Sequence, residues 1–399
     1  MLFSSKNLHA IPHRIWALGF ASLLLNTSSV IVFSLSPLFI TQTLGTSAAV
    51  LGILEGVIES ISLFTRIFSG VLSDLLKKRK IIIIFGYSLA LISRPLLAIA
   101  ATVTSVFFAR AFDRLGNGLI ATPRDALIGD LAPKDIKGSC YGLRESLSRT
   151  GSFLGSLLAI YLLWITANNY SFVFWMAAIP TALGLLLLVL FVTDKNVPAS
   201  AEKKEVVAKS KVLKEMWHLP SPFWLVILLS GIFMFSNFSG AFLILRGEQM
   251  GLPIHLIPLV MVIQNIATAL SAYPVGYLSD RIGRRSILAF GLLLVIVSNF
   301  LLSLDGSLTL FFFGILLWGA EIGVTQSMLS VLLADACPSA LRGTGFGLFH
   351  FVNGICLLLT NILAGWVWGE WGSAFLFYES ALMAGVAGLI LPFIKPSPR

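Results

Sequence analysis

Charged residues are scarce in this chain. Asp, Glu, Lys and Arg make up 12% of its 399 residues, whereas hydrophobic residues make up 57%. A soluble domain carries about 25% charged residues, so a water-facing surface cannot be built from this composition. The mean hydropathy of +0.90 leads to the same conclusion. The sequence therefore predicts a protein whose surrounding solvent is largely lipid.

The chain also lacks the residue patterns of several enzyme classes. No Gly-x-x-x-x-Gly-Lys-(Ser/Thr) loop is present to bind nucleotide phosphates. The five histidines do not cluster with acids as a metal site requires, and no serine nucleophile has a visible histidine base. The three cysteines, Cys140, Cys337 and Cys356, have no motif spacing, which disfavours a structural disulfide. We therefore expect neither an enzyme nor a bound cofactor or metal.

Long apolar segments are what the chain has in abundance. A membrane-spanning helix needs roughly 20 such residues, and helices are the default because lipid offers no partner for backbone polar groups. The segments are too long and too uniformly apolar for the alternating strands of a barrel. Twelve segments qualify: 14–41, 47–72, 80–101, 104–129, 138–165, 170–193, 221–247, 253–279, 286–304, 308–334, 343–368 and 372–394. The predicted fold class is all-α integral membrane, with twelve transmembrane helices.

The basic residues indicate how these segments are oriented. The net charge is +9, and twenty of the 28 Lys and Arg fall in the tails and in alternate loops. Because cytoplasmic loops carry the excess of Lys and Arg, both termini are predicted to be cytoplasmic. The charge is thus a topology signal and a contact with the lipid bilayer, with no nucleic-acid partner. We expect a multi-pass monomer in the plasma (inner) membrane.

Two unrelated patterns each occur twice. The segment Gly-Val-Leu-Ser-Asp at 70–74 returns as Gly-Tyr-Leu-Ser-Asp at 276–280, and an Asp-x-x-Pro pattern begins at both Asp130 and Asp335. Repetition of both at nearly one offset implies a duplicated half, as in many membrane transporters. We predict an N-terminal six-helix bundle at 1–193, a cytoplasmic linker at 194–220 and a C-terminal six-helix bundle at 221–399.

The first of these patterns resembles a signature of the major facilitator superfamily, Gly-x-Leu-(Ser/Ala)-Asp-Arg-x-Gly-Arg-Arg. The copy that runs from Gly276 to Arg285 matches fully. The first copy departs at Leu75, where the signature has Arg, and at Lys77, where it has Gly. The resemblance covers essentially the whole chain. It implies two pseudo-symmetric bundles and a small-molecule substrate that is moved by alternating access.

In that family, the signature latches one half to the other, which implies a gating role for its residues here. Small residues let helix ends approach closely, and an Asp can accept hydrogen bonds at a neighbouring helix N-terminus. The alternative is that Asp74 and Asp280 only cap helices. The residues assigned to gating are Gly70, Asp74, Arg79, Gly276, Asp280, Arg281, Arg284 and Arg285.

Eight basic residues remain inside the predicted spans, and all of them are Arg. They are Arg66, Arg94, Arg110, Arg114, Arg124, Arg144, Arg149 and Arg246. A charge inside a span is costly unless it pairs or faces an interior, and the planar guanidinium suits carboxylate or phosphate. Two interpretations stay open: internal ion pairs that stiffen the first half, or side chains that line a solute pathway.

The resemblance implies a central cavity lined by spans one, four, seven and ten. Polar and aromatic residues on those spans are therefore candidates for substrate binding. They are Arg110, Arg114, Asn117, Asn26, Asn237, Trp318 and Gln326.

Glu321 is the lone acid midway along span ten, with no Arg four residues away. A buried acid without a local partner can exchange a proton. We hypothesise that Glu321, with Asp113 or Glu59, couples transport to proton movement. The sequence thus predicts a secondary active transporter for a small organic solute, with anions among the candidates. The alternatives are an uncoupled facilitator of the same fold or, less favoured, a transporter-derived receptor or membrane enzyme.

Overall fold

The structure, a computed structural model, describes residues 11–76, 78–133, 136–193, 220–337 and 342–393. Every regular element in these ranges is helical, which confirms the predicted all-α class. The helices are α1 (His13–Leu38), α2 (Ala48–Leu76), α3 (Arg79–Ala98), α4 (Val103–Leu131), α5 (Lys137–Ile165), α6 (Tyr170–Phe191), α7a (Ser221–Met234), α7b (Gly240–Gln249), α8 (Leu259–Ile282), α9 (Arg284–Ser303), α10 (Leu308–Ala336), α11 (Arg342–Trp371) and α12 (Ser373–Ile390). Except for Pro220, the predicted linker lies outside the described residues.

Short polar segments determine where several spans begin. At the start of α4, Thr102 Oγ1 accepts from the Ser105 N–H at 3.2 Å, and Ser105 Oγ accepts from the Thr102 N–H at 3.1 Å. At the start of α6, Asn169 Oδ1 accepts from the Phe172 N–H at 3.1 Å. These side chains satisfy N–H groups that have no partner within the helix. The polar residues between apolar runs thus fix the entry points of the helices.

The seventh span differs from the expected single helix over 221–247, because it is interrupted at 235–239. Side chains of other helices form hydrogen bonds with backbone groups within the break. Asn361 Oδ1 accepts from the Ser239 N–H at 2.7 Å, and Ser380 Oγ donates to the Ser236 carbonyl at 2.7 Å. Lipid cannot satisfy backbone groups, so a break inside a span requires buried partners of this kind.

Ser239 caps α7b, and its substitution tests which contacts stabilise the break. Its hydroxyl accepts from the Ala241 N–H at 3.2 Å and donates to Glu55 Oε2 at 3.1 Å, and its side chain is buried. We expect Ser239→Ala to lower stability by about 1 kcal/mol or more, because a cap and a donor to a buried carboxylate are both lost. Thermal unfolding in detergent measures this. Ser88→Ala is the control, since the one partner of Ser88 Oγ among the described residues is the Ile84 carbonyl of its own helix. Equal losses for the two variants would contradict the assignment.

Ten of the described helices are long and apolar enough to cross a membrane. Two of the twelve predicted spans, α4 and α7, do not meet these criteria of length and hydropathy. Helix α4 carries several charged residues, and α7 is divided into two shorter helices. Large apolar side chains elsewhere are exposed, including Phe68 at 72% and Leu270 at 71%. An apolar surface of this extent is suited to lipid rather than water.

Two compact units account for the described residues. Unit 1 contains 11–47, 57–76, 78–133, 136–193 and 251–262, and unit 2 contains 48–56, 220–250, 263–337 and 342–393. Each unit has its own apolar core. Ile15, Tyr87 and Ile128 belong to the core of unit 1, and Phe223 and Leu333 belong to that of unit 2. Close packing of these side chains stabilises each unit through van der Waals contacts, because apolar side chains gain little by leaving lipid.

Glycines allow the helices of unit 1 to approach closely. A Cβ atom on Gly151 of α5 would lie 2.8 Å from the Cα atom of Leu23 in α1. A Cβ atom on Gly116 of α4 would lie 2.5 Å from the carbonyl oxygen of Gly86 in α3. Real Cβ atoms do not come this close to a neighbouring backbone. These two crossings bring the polar side chains of α1, α3, α4 and α5 within reach of one another.

Candidate functional site

A buried arginine joins three helices of unit 1. Arg94 of α3 is 1% exposed, and its Nη1 atom lies 2.8 Å from Oδ1 of Asp113 in α4. Its Nε atom donates to Ser28 Oγ at 2.8 Å, and its Nη2 atom donates to Ser29 Oγ at 3.0 Å, both in α1. Its Nη1 atom also donates to Ser93 Oγ at 2.9 Å, so the guanidinium has a carboxylate and three hydroxyl groups as partners in a site closed to solvent.

Asp113, which the sequence predicts as a proton-coupling residue, is thus held in an ion pair. Asn117, one turn further along α4, donates from Nδ2 to Asp113 Oδ1 at 3.2 Å and to its carbonyl at 3.0 Å. The predicted coupling residue Asp113 and the predicted binding residue Asn117 are therefore neighbours. Their assigned roles stay predictions.

The predicted binding residues Arg110 and Arg114 lie beside an aromatic ring. Each guanidinium carbon is 5.8 Å from the ring centroid of Phe33 in α1. Arg114 Nη2 also lies 2.7 Å from Oε1 of Glu59 in α2, another predicted coupling residue. Arg110 is 2% exposed, whereas Arg114 and Glu59 keep 17% and 25% of their side-chain surface accessible. The Arg114–Glu59 pair is thus partly exposed, while the Arg94–Asp113 pair is enclosed by protein.

Asn26, the predicted binding residue of span one, lies at the crossing of α1 and α5. Its Nδ2 atom is 2.6 Å from Ser148 Oγ and 2.9 Å from the Ser22 carbonyl. Thr27 of the same helix donates to the Gly151 carbonyl at 3.1 Å. Asn26 therefore takes part in helix packing, and a role in binding stays a prediction.

A second group of charges in unit 1 joins α4 and α5. Arg124 Nε and Arg144 Nη2 lie 3.0 Å and 3.3 Å from the same atom, Asp125 Oδ1. Arg144 Nη1 also bonds to Glu145 Oε2 at 2.7 Å, and Arg149 Nε bonds to Glu145 Oε1 at 3.0 Å. The Glu145–Arg149 pair has the spacing of one helical turn.

In unit 2, Glu321 lies near the break in α7. Its side chain is 1% exposed, its Oε1 atom is 2.5 Å from Thr325 Oγ1, and the Asn237 side chain is a second polar neighbour. Asn237 lies between α7a and α7b. Its side chain approaches α10 because the span is interrupted at this point. The predicted coupling residue Glu321 and the predicted binding residue Asn237 are therefore in contact. Among the described side chains, Glu321 has no cationic partner.

Trp318, one turn before Glu321, is buried against the same break. Its ring centroid lies 4.8 Å from that of Phe238. Phe238 also contacts the rings of Phe242 and Phe377, at 5.8 Å and 5.7 Å. Trp318 is 2% exposed, so in this conformation it contributes to an aromatic cluster. Gln326, the remaining predicted binding residue of span ten, has a side chain outside the described set.

The predicted gating residues are only partly described. Arg79 forms an ion pair with Asp130, which joins residues of the two repeated patterns. A Cβ atom on Gly70 would lie 3.0 Å from Cγ2 of Thr122 in α4. Arg284 and Arg285 begin α9, half-buried, directly after Gly283, whose φ of +91° favours glycine. The side chains of Asp74, Asp280 and Arg281 and the surroundings of Gly276 lie outside the described set.

Sequence reasoning missed several of these contacts. Arg94 is one of the eight embedded arginines, but nothing in its spacing indicates Asp113 or the serines of α1 as partners. Phe33, Thr325 and Asn361 gave no signal beyond their residue types. These contacts form only when different helices pack against one another.

The described molecule is a polytopic helical membrane protein with ion pairs and hydrogen-bonded polar groups buried inside its spans. Charged groups inside membrane spans mark functional sites, and solute or ion pathways are among them. The model of the Major Facilitator Superfamily matches residues 18–256 and 231–399, and the chain therefore belongs to that superfamily.

Curated relatives agree with this membership. A protein from Methanocaldococcus jannaschii, named an uncharacterized MFS-type transporter, is 29% identical over 401 residues, covering 98% of this chain and 97% of its own. The multidrug resistance protein MdtH of Photorhabdus laumondii is 24% identical over 379 residues, covering 93% of this chain and 90% of its own. The chain is accordingly an MFS-type transporter and a multi-pass membrane protein.

Solved structures confirm the predicted fold. A POT family transporter in complex with 5-aminolevulinic acid matches with a TM-score of 0.78 at 15% identity, covering 97% of this chain and 98% of its own. The nucleoside transporter NupG matches with a TM-score of 0.74 at 15% identity, covering 96% and 98%. At this identity the likeness shows the fold alone.

Proposed function

We propose that this transporter is a secondary active transporter that couples the movement of a small organic solute to protons, with Glu321 as the proton-carrying group. The observation that carries the proposal is the setting of Glu321. The carboxyl is buried, has Thr325 and Asn237 as polar neighbours and has no cationic partner among the described side chains. Alternating access would expose it to water in one conformation and enclose it in another.

The energetic cost of a buried charge favours proton exchange at Glu321. An ionised carboxylate enclosed without a cation costs several kcal/mol, whereas a protonated one needs only hydrogen-bond partners. A conformational change that opens or closes the site to water therefore favours release or uptake of a proton. Asp113 and Glu59 have arginine partners at 2.8 Å and 2.7 Å, which makes Glu321 the better candidate of the three.

The test uses purified protein in proteoliposomes. A thermal-shift screen of metabolites and drugs identifies a ligand, because only ligands of the folded state raise the melting temperature. Uptake of that labelled ligand is then followed under an imposed pH gradient. We expect the wild type to accumulate it and Glu321→Gln to exchange it across the membrane without gradient-driven accumulation, because Gln keeps the hydrogen bonds but cannot carry the proton.

Glu379→Gln is the matched control. Glu379 is a half-buried acid of α12 in the same unit, and its Oε1 atom has no hydrogen-bond partner among the described residues. This variant should retain gradient-driven accumulation. Wild-type accumulation by Glu321→Gln, or its loss only in Glu379→Gln, would reject the role of Glu321. Wild-type counterflow that ignores pH would instead indicate an uncoupled facilitator.

The remaining features of the proposal are the orientation of the protein, its membrane, its oligomeric state and the bounds of its two bundles. We place both termini in the cytoplasm and the protein in the plasma membrane as a monomer, with bundles at 1–193 and 221–399 joined by the 194–220 linker. The basic loops support this orientation. An anionic solute is favoured because unit 1 holds more arginines than acids inside its spans.

A further inference from the structure

An apolar groove in unit 1 is not used by the function above. Two adjoining cavities of about 410 and 670 Å³ form it, and Leu23 and Leu24 of α1 line both of them. Side chains of α5 and α6 complete the lining, among them Leu157 and Leu183. Ligand sites commonly have volumes of about 300–1,000 Å³, so each cavity is large enough to hold a ligand. We call the continuous cavity the α1 groove.

The α1 groove forms because α5 and α6 both pack closely against α1. A Cβ atom on Gly155 of α5 would lie 3.0 Å from the Cα atom of Thr27. On the α6 side, Ser28 Oγ donates to the Ala177 carbonyl at 2.6 Å. These contacts bring both helices close to α1, which forms the floor between them. The lining side chains of α5 and α6 form the two walls.

The groove is apolar over most of its length. Leu157 of α5 and Leu183 of α6 are 40% and 49% exposed, so the groove opens toward the surrounding lipid. No charged residue occurs in α1 after Arg14, in α5 after Arg149 or anywhere in α6. The hydroxyl of Thr27, which lies in the floor, already donates to two backbone carbonyls. This part of the groove therefore suits a hydrocarbon chain, because a charged group here would lose its solvation without gaining a partner.

One end of the groove is basic. His13, which is exposed, lines this end. Arg14 beside it is half-buried and forms no ion pair with the described side chains. Lys80 of α3 lies at the same end, where its ammonium donates at 2.9 Å to the carbonyl of Val189, two residues before Phe191 of the lining. Basic pockets between membrane-spanning helices bind anionic lipid headgroups. The groove thus joins an apolar channel to a cationic end, which is complementary to an anionic phospholipid.

The length of the groove matches one acyl chain. The lining extends along α1 from His13 to Thr27, a rise of about 21 Å. One leaflet contributes half of a hydrocarbon core that is about 30 Å thick, which is about 15 Å. Trp16 stacks on Phe20 of the lining, with ring centroids 5.9 Å apart, and Trp is typical of the membrane–water interface. The basic end therefore lies at headgroup level, and the apolar part reaches through one leaflet.

We propose that the α1 groove is a binding site for an anionic phospholipid, with one acyl chain between α5 and α6 and the phosphate at Arg14 and His13. The lipid comes from the leaflet in which α1 begins, which is the cytoplasmic one in the orientation proposed above. Lipid of any kind covers exposed apolar surface, so the property that defines this site is its preference for an anionic headgroup. Binding of this lipid is independent of the transported solute and of proton coupling.

Photo-crosslinking in nanodiscs tests the site. Full-length protein is placed in phosphatidylcholine nanodiscs that contain a small fraction of phosphatidylglycerol with a photoreactive group in its acyl chain. Photoreactive phosphatidylcholine is the ligand control, and peptide mass spectrometry locates the labelled residues. We expect phosphatidylglycerol to label Leu24, Leu157 and Leu183 at least about fivefold more than phosphatidylcholine does, because each basic residue near the surface favours an anionic headgroup by about that factor.

Filling the groove should block this labelling. Leu183→Trp places a larger ring in one wall, so we expect labelling of Leu157 on the opposite wall to fall about fivefold or more. Leu186→Trp is the matched control, because Leu186 is in the same helix, is 52% exposed and does not line the groove. In that variant the labelling of Leu157 should stay within about twofold of the wild type, as expected for a surface substitution. Unchanged labelling in Leu183→Trp would overturn the proposal.

Removing the charge of Arg14 should remove the preference for an anionic headgroup. We expect Arg14→Gln to lower the ratio of phosphatidylglycerol to phosphatidylcholine labelling about fivefold, and Arg14→Lys to retain most of it, since lysine keeps the charge. Arg14→Gln leaves no described acid unpaired, and its melting temperature in phosphatidylcholine verifies that it folds. Lys78→Gln is the matched control, because Lys78 is exposed, precedes α3 and does not line the groove. Its ratio should stay within about twofold of the wild type, since exposed charges are screened beyond about 8–10 Å.

Three other results would overturn the proposal. Equal labelling by the two photoreactive lipids would indicate ordinary surrounding lipid. Equal loss of preference in Arg14→Gln and Lys78→Gln would assign the preference to general attraction by the basic surface. Absence of groove labelling by either lipid, with two copies of the chain in each nanodisc, would identify a second copy as the occupant. No solute or gradient is present in these experiments, so each of these results leaves the proposed function standing.

Discussion

Replacing Arg94 by Ala is expected to destabilise the protein by about 3–5 kcal/mol, because the substitution leaves Asp113 as a buried charge without its partner. The Arg94 side chain is 1% exposed and that of Asp113 is 5% exposed, so water cannot compensate for the loss. The hydrogen bonds to Ser28 and Ser29 of α1 are lost at the same time. Chemical or thermal unfolding in detergent, compared with the wild type, measures the effect.

A double variant separates the charge from the packing. Arg94→Met combined with Asp113→Leu removes both charges and keeps side chains of substantial volume, so it should recover much of the stability that the single variant loses. The remaining loss would be assigned to the serine and Asn117 contacts. Wild-type stability of Arg94→Ala would show that this pair does not hold α1, α3 and α4 together.

Adding one methyl group to Gly151 is expected to be nearly as damaging. In Gly151→Ala the new Cβ atom would lie 2.8 Å from both the Cα and the carbonyl carbon of Leu23, so α1 and α5 must separate. Overpacking typically costs 1–3 kcal/mol, and we expect about 3 kcal/mol because the obstruction is backbone rather than a movable side chain. Displacement of α1 would also disturb the Asn26–Ser148 hydrogen bond.

Gly142 provides the matched control in the same helix. A Cβ atom at this exposed position would meet no atom within 4 Å. Gly142→Ala should therefore raise stability by about 0.5–1 kcal/mol, since Ala loses less backbone entropy than Gly in a helix. Opposite shifts of the melting temperature for the two variants are the expected result. Equal shifts would mean that the α1–α5 crossing is looser than described.

The sequence predicted much of the fold because its signals are local or repeated. Apolar segments of sufficient length indicated the spans, and the duplicated patterns indicated two related halves. The break in α7 could not be predicted, because it depends on Asn361 and Ser380, more than a hundred residues further along the chain. Local hydropathy does not reveal whether a buried partner is available.

The candidate site was predictable only within single helices. The contact of Glu145 with Arg149 follows from their spacing alone, since one turn of helix brings such residues together. The contacts of Arg94 with Asp113 and of Glu321 with Asn237 were not predicted, because each joins separate elements. The sequence identified the embedded charges as functional candidates but not their partners.

The amino-acid sequence by itself determined that the chain lies in lipid and that it is helical, and its repeated patterns predict two related halves. Composition, segment length and repetition are properties of the linear chain, so they need no knowledge of packing. The tertiary structure alone decided which buried charges are neutralised and which are not. That outcome depends on how each helix is rotated and how closely it crosses its neighbours, and glycines such as Gly151 and Gly116 set those distances.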